Sequence, residues 1–225
     1  MTLRSRGLLF DDPPPLNLYP CRGAYVSEEC GSINWEKFNE KYISFVYIRA
    51  GKGISFTDKQ LEDNLKGALK SGLPFGFVFD LSFSADGLRQ ADAFLEATGD
   101  MTGRLAPVID IRMSLIERLL YNDKRRTLKI LSELRTALKR RCGCDPVIMT
   151  DERSYSELAE AVKGCPILGV DDDVSAFGGE WYMLAYSPDG RSEGLEDITK
   201  RYTMMTAYKG CTLDKLCADL TVSNK

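Results

Sequence analysis

The stretch APVIDIR (106–112) closes an apolar run on an aspartate and, two positions later, an arginine. If the run is a β-strand, residues two apart face the same side, so Asp110 and Arg112 project together from its end. A carboxylate placed there is a candidate acid, base or nucleophile. An arginine is not, because its guanidinium stays protonated far above neutral pH, and beside a carboxyl it favours the ionised form. Further carboxylates fall at comparable points: Glu28 and Glu29, Asp80, Asp151 and Glu152, Asp171 to Asp173, and Asp197. The chain contains no histidine. That removes Ser/His/Asp and Cys/His catalysis and metal sites built on imidazole, and leaves acid–base work to carboxylates, Lys, Tyr or Cys. Some of these acids are expected to be helix N-caps instead.

The elements that must position these groups are short apolar runs alternating with helical patterns. Strands are expected at 23–27, 43–50, 73–80, 106–111, 145–150, 165–170, 181–186 and 195–199, and helices within 33–42, 58–72, 87–99 and 114–141. Leu61, Leu65 and Leu69 recur at helical spacing, with Gly72 as the C-cap. In the long helix Leu128, Leu131, Leu134 and Leu138 form the apolar stripe, and Lys124, Arg125, Arg126, Lys129, Arg135, Lys139 and Arg140 a solvated basic face. This alternation implies an α/β chain with parallel pairing and right-handed crossovers, and about eight strands suggest an irregular TIM-like (β/α) barrel. In such a barrel functional groups gather at the C-terminal ends of the strands. The expected organisation is an extended Pro-rich arm over 1–22, the barrel over 23–203 and an extension over 204–225.

Composition narrows the function classes. At 225 residues and 44% hydrophobic the chain can bury a sizeable core. Its net charge of −3 offers no global field for nucleic acid. No apolar run is long enough to span a membrane, and the N-terminal apolar stretch, broken by Asp11 and Asp12, is too short for a signal peptide, so cytosolic synthesis is expected. The seven cysteines are expected to be reduced. Cys142 and Cys144 with Cys211 and Cys217 fit zinc spacing poorly, so no metal or cofactor is expected.

The order GAYVS, GSINWEKF, ISFVYIRAGKG, DNLKGALKSGLPFGF, QADAFLE and APVIDIR resembles the glycoside hydrolase family 25 lysozymes over 22–203, most strongly over 22–112. The resemblance implies an irregular β/α barrel that cleaves peptidoglycan. It also implies a site with an aspartate in the first strand, an Asp-x-Glu in the fourth whose glutamate is the general acid, and an aspartate near the last strand. Carried over, these positions fall on Tyr25, on Asp110 and Arg112, and on Asp197, so two of the acids are replaced. The family's Tyr-His-Phe after the third strand becomes Val78, Phe79 and Asp80, and of its late Trp-Gln-Tyr-Ser only Tyr186 and Ser187 remain, with Tyr186 the residual substrate-binding ring. Its Ala-Thr-Glu-Gly becomes Ala50 to Gly53.

Glycoside hydrolysis needs one carboxyl to protonate the leaving oxygen and a second group as base, nucleophile or stabiliser. The expected function is therefore a catalytically degenerate lysozyme-like barrel acting as a structural or interaction module among protein partners, in a phage or phage-like particle. The alternatives are a muramidase in which Asp80, Glu152 or Asp171 substitutes as acid, and a cell-wall glycan binder that does not hydrolyse.

Overall fold

The computed structural model describes residues 14–38, 43–170, 181–190, 195 and 200–223. Asp171 and Asp197 lie outside them, as does most of the strand expected at 195–199. The strands are β1 (Arg22–Val26), β2 (Phe45–Lys52), β3 (Phe56–Thr57), β4 (Phe75–Asp80), β5 (Val108–Asp110), β6 (Val147–Thr150), β7 (Ile167–Val170), β8 (Met183–Gly190) and β9 (Tyr202–Ala207). The helices are α1 (Trp35–Phe38), α2 (Leu61–Ser71), α3 (Gly87–Thr98), α4 (Leu115–Leu120), α5 (Lys124–Cys142), α6 (Glu152–Val162) and α7 (Leu213–Leu220).

One nine-stranded sheet runs β1-β9-β8-β7-β6-β5-β4-β2-β3, and parallel pairing of β1 with β2 closes it. β3 pairs only with β2, antiparallel, so eight strands make the barrel. The expected barrel is observed, with one correction to its pairing. β9 is antiparallel to both β1 and β8.

Strand alternation sorts the apolar residues into two cores. Tyr47, Val78, Val108, Met149, Leu168 and Met205 belong to the cluster inside the barrel. Ile48, Phe77, Ile109, Phe94, Leu131 and Leu134 belong to the layer between barrel and helices. Leu216 and Leu220 of α7 join the inner cluster, and the Ala106 amide, two residues before β5, donates to the Leu220 carbonyl at 2.7 Å. The C-terminal segment thus plugs the barrel floor, and β9 runs across the boundary drawn at 203.

The helix expected over 114–141 is two helices. Asp123 caps α5 by accepting from the Arg126 amide, and that capping chemistry interrupts an apolar spacing that is helical on both sides. Gly72 ends α2 in the left-handed conformation, as expected, whereas Leu69 is 59% exposed and leaves the apolar stripe. α3 meets α5 at Gly87, where an added Cβ would lie 2.2 Å from the Ile130 carbonyl oxygen and 2.9 Å from the Leu134 nitrogen. Backbone atoms cannot swing aside, so Gly87→Ala is expected to lower stability by about 1–3 kcal/mol, read as a lower urea midpoint. No described helix is long and apolar enough to cross a membrane.

Candidate functional site

The C-terminal ends of β1, β2, β4 and β5 converge on a charged cluster. Asp80 and Asp110 are register partners on adjacent parallel strands. Asp110, 8% exposed, accepts four hydrogen bonds on its carboxylate, all from Arg112 among the described residues. Arg112 donates Nε to Oδ1 at 3.0 Å and to Oδ2 at 3.1 Å, its Nη2 donates to Oδ2 at 2.6 Å, and its backbone amide donates to Oδ1 at 3.0 Å. The two side chains that the i, i+2 spacing places on one face therefore close on each other.

Arg49 is the second cation of the cluster, and its Nη2 donates to Asp80 Oδ2 at 2.5 Å. No local pattern announces it, because its acid lies 31 positions away and only the β2–β4 register brings the two together. A β-bulge at Ala50 shifts that register so that Lys52 pairs with Asp80. Lys52 in turn donates to Glu117 Oε1 of α4 at 2.8 Å, which ties α4 to the rim of the mouth. Nearby, buried Asp58 accepts the amides of Glu28 and Gln60, so it fixes the loop after β1 to the start of α2.

Burial sets the electrostatics. Desolvation and the neighbouring Asp110 push the Asp80 carboxyl above its ordinary value, against the pull of Arg49 and Lys52. Desolvation, Asp80 and Asp110 raise the Tyr25 phenol well above its usual range, so Tyr25 is a neutral mouth residue. Desolvation opposes the Arg112 charge, but Asp110 outweighs it and raises the guanidinium pKa. Folded Asp80 therefore holds its proton more tightly than the unfolded chain does. Its stabilising contribution is present at low pH and is lost as pH rises from about 3.8 through the folded value. Asp80→Asn is expected to flatten that part of the stability–pH curve, measured by urea unfolding across the acid range.

The other candidate residues do not join this cluster. Glu152 is exposed in the first turn of α6, where its charge complements the helix N-terminus, and Asp151 caps the same helix through the Ser154 amide at 2.6 Å. Tyr186, 4% exposed, belongs to the outer core with Tyr202, and burial pushes its phenol up to about 12. It therefore faces the core around the barrel, which is not a position for contacting substrate. A cleft of about 270 Å³ opens beside Tyr25, lined also by Glu29, Lys200, Arg201 and Thr203. No group of three or more Cys, Asp or Glu able to hold a metal occurs among the described residues, and all seven cysteines are free thiols.

A closed β/α barrel whose carboxylates meet at the C-terminal ends of its strands is the architecture of many glycosidases. The family model for glycosyl hydrolases family 25 matches residues 25–164, and the chain belongs to that family. Lysozyme M1 of Streptomyces globisporus is 28% identical over 141 residues, covering 60% of this chain and 48% of its own length. The autolytic lysozyme of Clostridium acetobutylicum is 23% identical over 180 residues, covering 77% of this chain and 52% of its own length. The chain thus spans about half the length of these two relatives. A solved family 25 glycosyl hydrolase from Bacillus anthracis has the same fold, with a TM-score of 0.78 at 21% identity over 89% of this chain and 93% of its own.

Proposed function

We propose that this barrel has lost the family's hydrolytic chemistry and serves as a structural or interaction module. The observation that carries the reading is the closure of Arg112 on Asp110, through both Nε and Nη2. The resemblance assigns the proton donor to position 112, and a guanidinium there cannot donate a proton near neutral pH. Asp110, the acid that remains, is engaged by the arginine and cannot act unless that pair opens. Tyr25, at the position of the first-strand aspartate, supplies no charge. Protein partners in an assembly, a phage-like particle among them, belong to the same proposal.

One observation favours a second reading. Asp80 is a carboxyl with a raised pKa beside an ionisable partner, which is the state a general acid requires, and the named relatives are lysozymes. Clearing of a peptidoglycan suspension decides between the two. The native chain is expected to clear nothing. Clearing that disappears in a folded Asp80→Asn variant would overturn the proposal in favour of a muramidase with a displaced acid. Retention of the native chain on insoluble peptidoglycan without clearing would instead identify a glycan binder.

A further inference from the structure

At the rim of the mouth α4 reads LIERLL, and its four large apolar side chains have no cover. Leu115 is 70% exposed, Ile116 68%, Leu119 78% and Leu120 67%. Positions i, i+1, i+4 and i+5 share one helix face, so they form a continuous patch. Glu117 and Arg118, the polar pair of the same helix, are turned inward to partners. Glu117 takes Lys52 and caps with Ser114, and Arg118 bonds Ser154 and Glu157. The helix therefore presents its apolar face outward and its charges to the fold, the reverse of an ordinary surface helix.

After a link of three residues, α5 opens with Lys124, Arg125 and Arg126, all exposed, with no acid in its first turn. Among the described residues none of the three makes an ion pair. Cations at a helix N-terminus oppose the helix dipole, so helix stability does not account for them. Lys129, Lys139 and Arg141, also exposed on α5, differ, since they pair with Glu133, Asp145 and Asp92 respectively.

We infer that α4 and the head of α5 together form a docking patch for an anionic lipid surface, with Leu115, Ile116, Leu119 and Leu120 entering the headgroup boundary and Lys124, Arg125 and Arg126 meeting the lipid phosphates. An exposed apolar helix followed in the chain by three unpaired cations supplies both of the chemistries that such a surface takes. Four side chains fall short of the roughly 800 Å² per partner that a stable protein interface buries. A bilayer, by contrast, requires no complementary groove. The overall charge of −3 conceals this patch, because the cations are concentrated on one helix.

Co-sedimentation of the full chain with phosphatidylcholine vesicles, with and without phosphatidylglycerol, tests the inference. Binding is expected only to the phosphatidylglycerol vesicles and is expected to weaken as salt is raised. Leu115→Ser with Leu119→Ser, and separately Lys124→Gln with Arg125→Gln and Arg126→Gln, are each expected to lower partitioning at least about tenfold. All five positions are exposed, and an unchanged circular dichroism spectrum and thermal midpoint would show that the variants fold. No binding to phosphatidylglycerol vesicles at low salt would overturn the inference, as would equal binding by either variant. A native dimer that the serine variant converts to monomer would also overturn it, assigning the patch to a second copy of the chain.

Discussion

Replacing Arg112 by methionine is expected to destabilise the fold by about 2–3 kcal/mol, and adding Asp110→Asn to recover most of that loss. Removing one partner of a fully buried pair costs about 3–5 kcal/mol, because the other charge is left without compensation. The expected value is lower here because 37% of the Arg112 side chain is exposed, against 9% for Asp110, so water can reach the vacated side. Arg49 is committed to Asp80 and cannot take over. Asparagine keeps an oxygen for the backbone amide of residue 112 while removing the charge, so the double variant loses the pair without leaving a buried anion. Urea unfolding of the native chain, both single variants and the double variant gives the coupling directly. A cost below about 0.5 kcal/mol for Arg112→Met would show that the pair behaves as an exposed one and does not close the mouth.

The scaffold was legible in the sequence because barrel strands are short apolar runs bounded by turn residues. Phe75–Asp80 and Val147–Thr150 stand out on those grounds alone. β9 did not, since its Thr and Met residues carry a weak apolar signal. Its role emerges only from pairing with both β1 and β8. The split of the long helix depended on one polar cap, Asp123, set between two segments of helical spacing.

The site was legible only in its local part. Asp110 and Arg112 are two residues apart, so strand geometry alone brings them together. Arg49 and Asp80 belong to different strands, and their meeting depends on the β2–β4 register, which no local pattern announces. Tyr186 looked functional because it matched a family position, yet the described structure buries it in the layer outside the barrel. The exposed face of α4 lay within the helix expected over 114–141 but outside its apolar stripe, because periodicity reports that a helix has a face but not which way that face turns.

Tyr25→Asp combined with Arg112→Glu is expected to clear peptidoglycan at least about a hundredfold above the background at which the native chain is indistinguishable from buffer, a factor at the lower end of what a positioned general acid contributes. The combined change removes the guanidinium that fixes Asp110 and places a carboxyl beside it, near Asp80. Like charges that close cannot all ionise, so one proton is retained near neutral pH. Glycoside hydrolysis requires such a state, with one protonated carboxyl and one ionised one. Arg49 remains to hold Asp80, so the new charge is not left wholly unbalanced. Tyr25→Asp with Arg112→Gln is the control, because it frees Asp110 without supplying an acid, and it is expected to clear nothing. Equal clearing by both variants would show that the gain does not come from a proton donor at position 112. A folded glutamate variant that fails to clear would extend the loss beyond those two side chains to the rest of the mouth, where the resemblance sets Val78, Phe79 and Asp80 against Tyr-His-Phe.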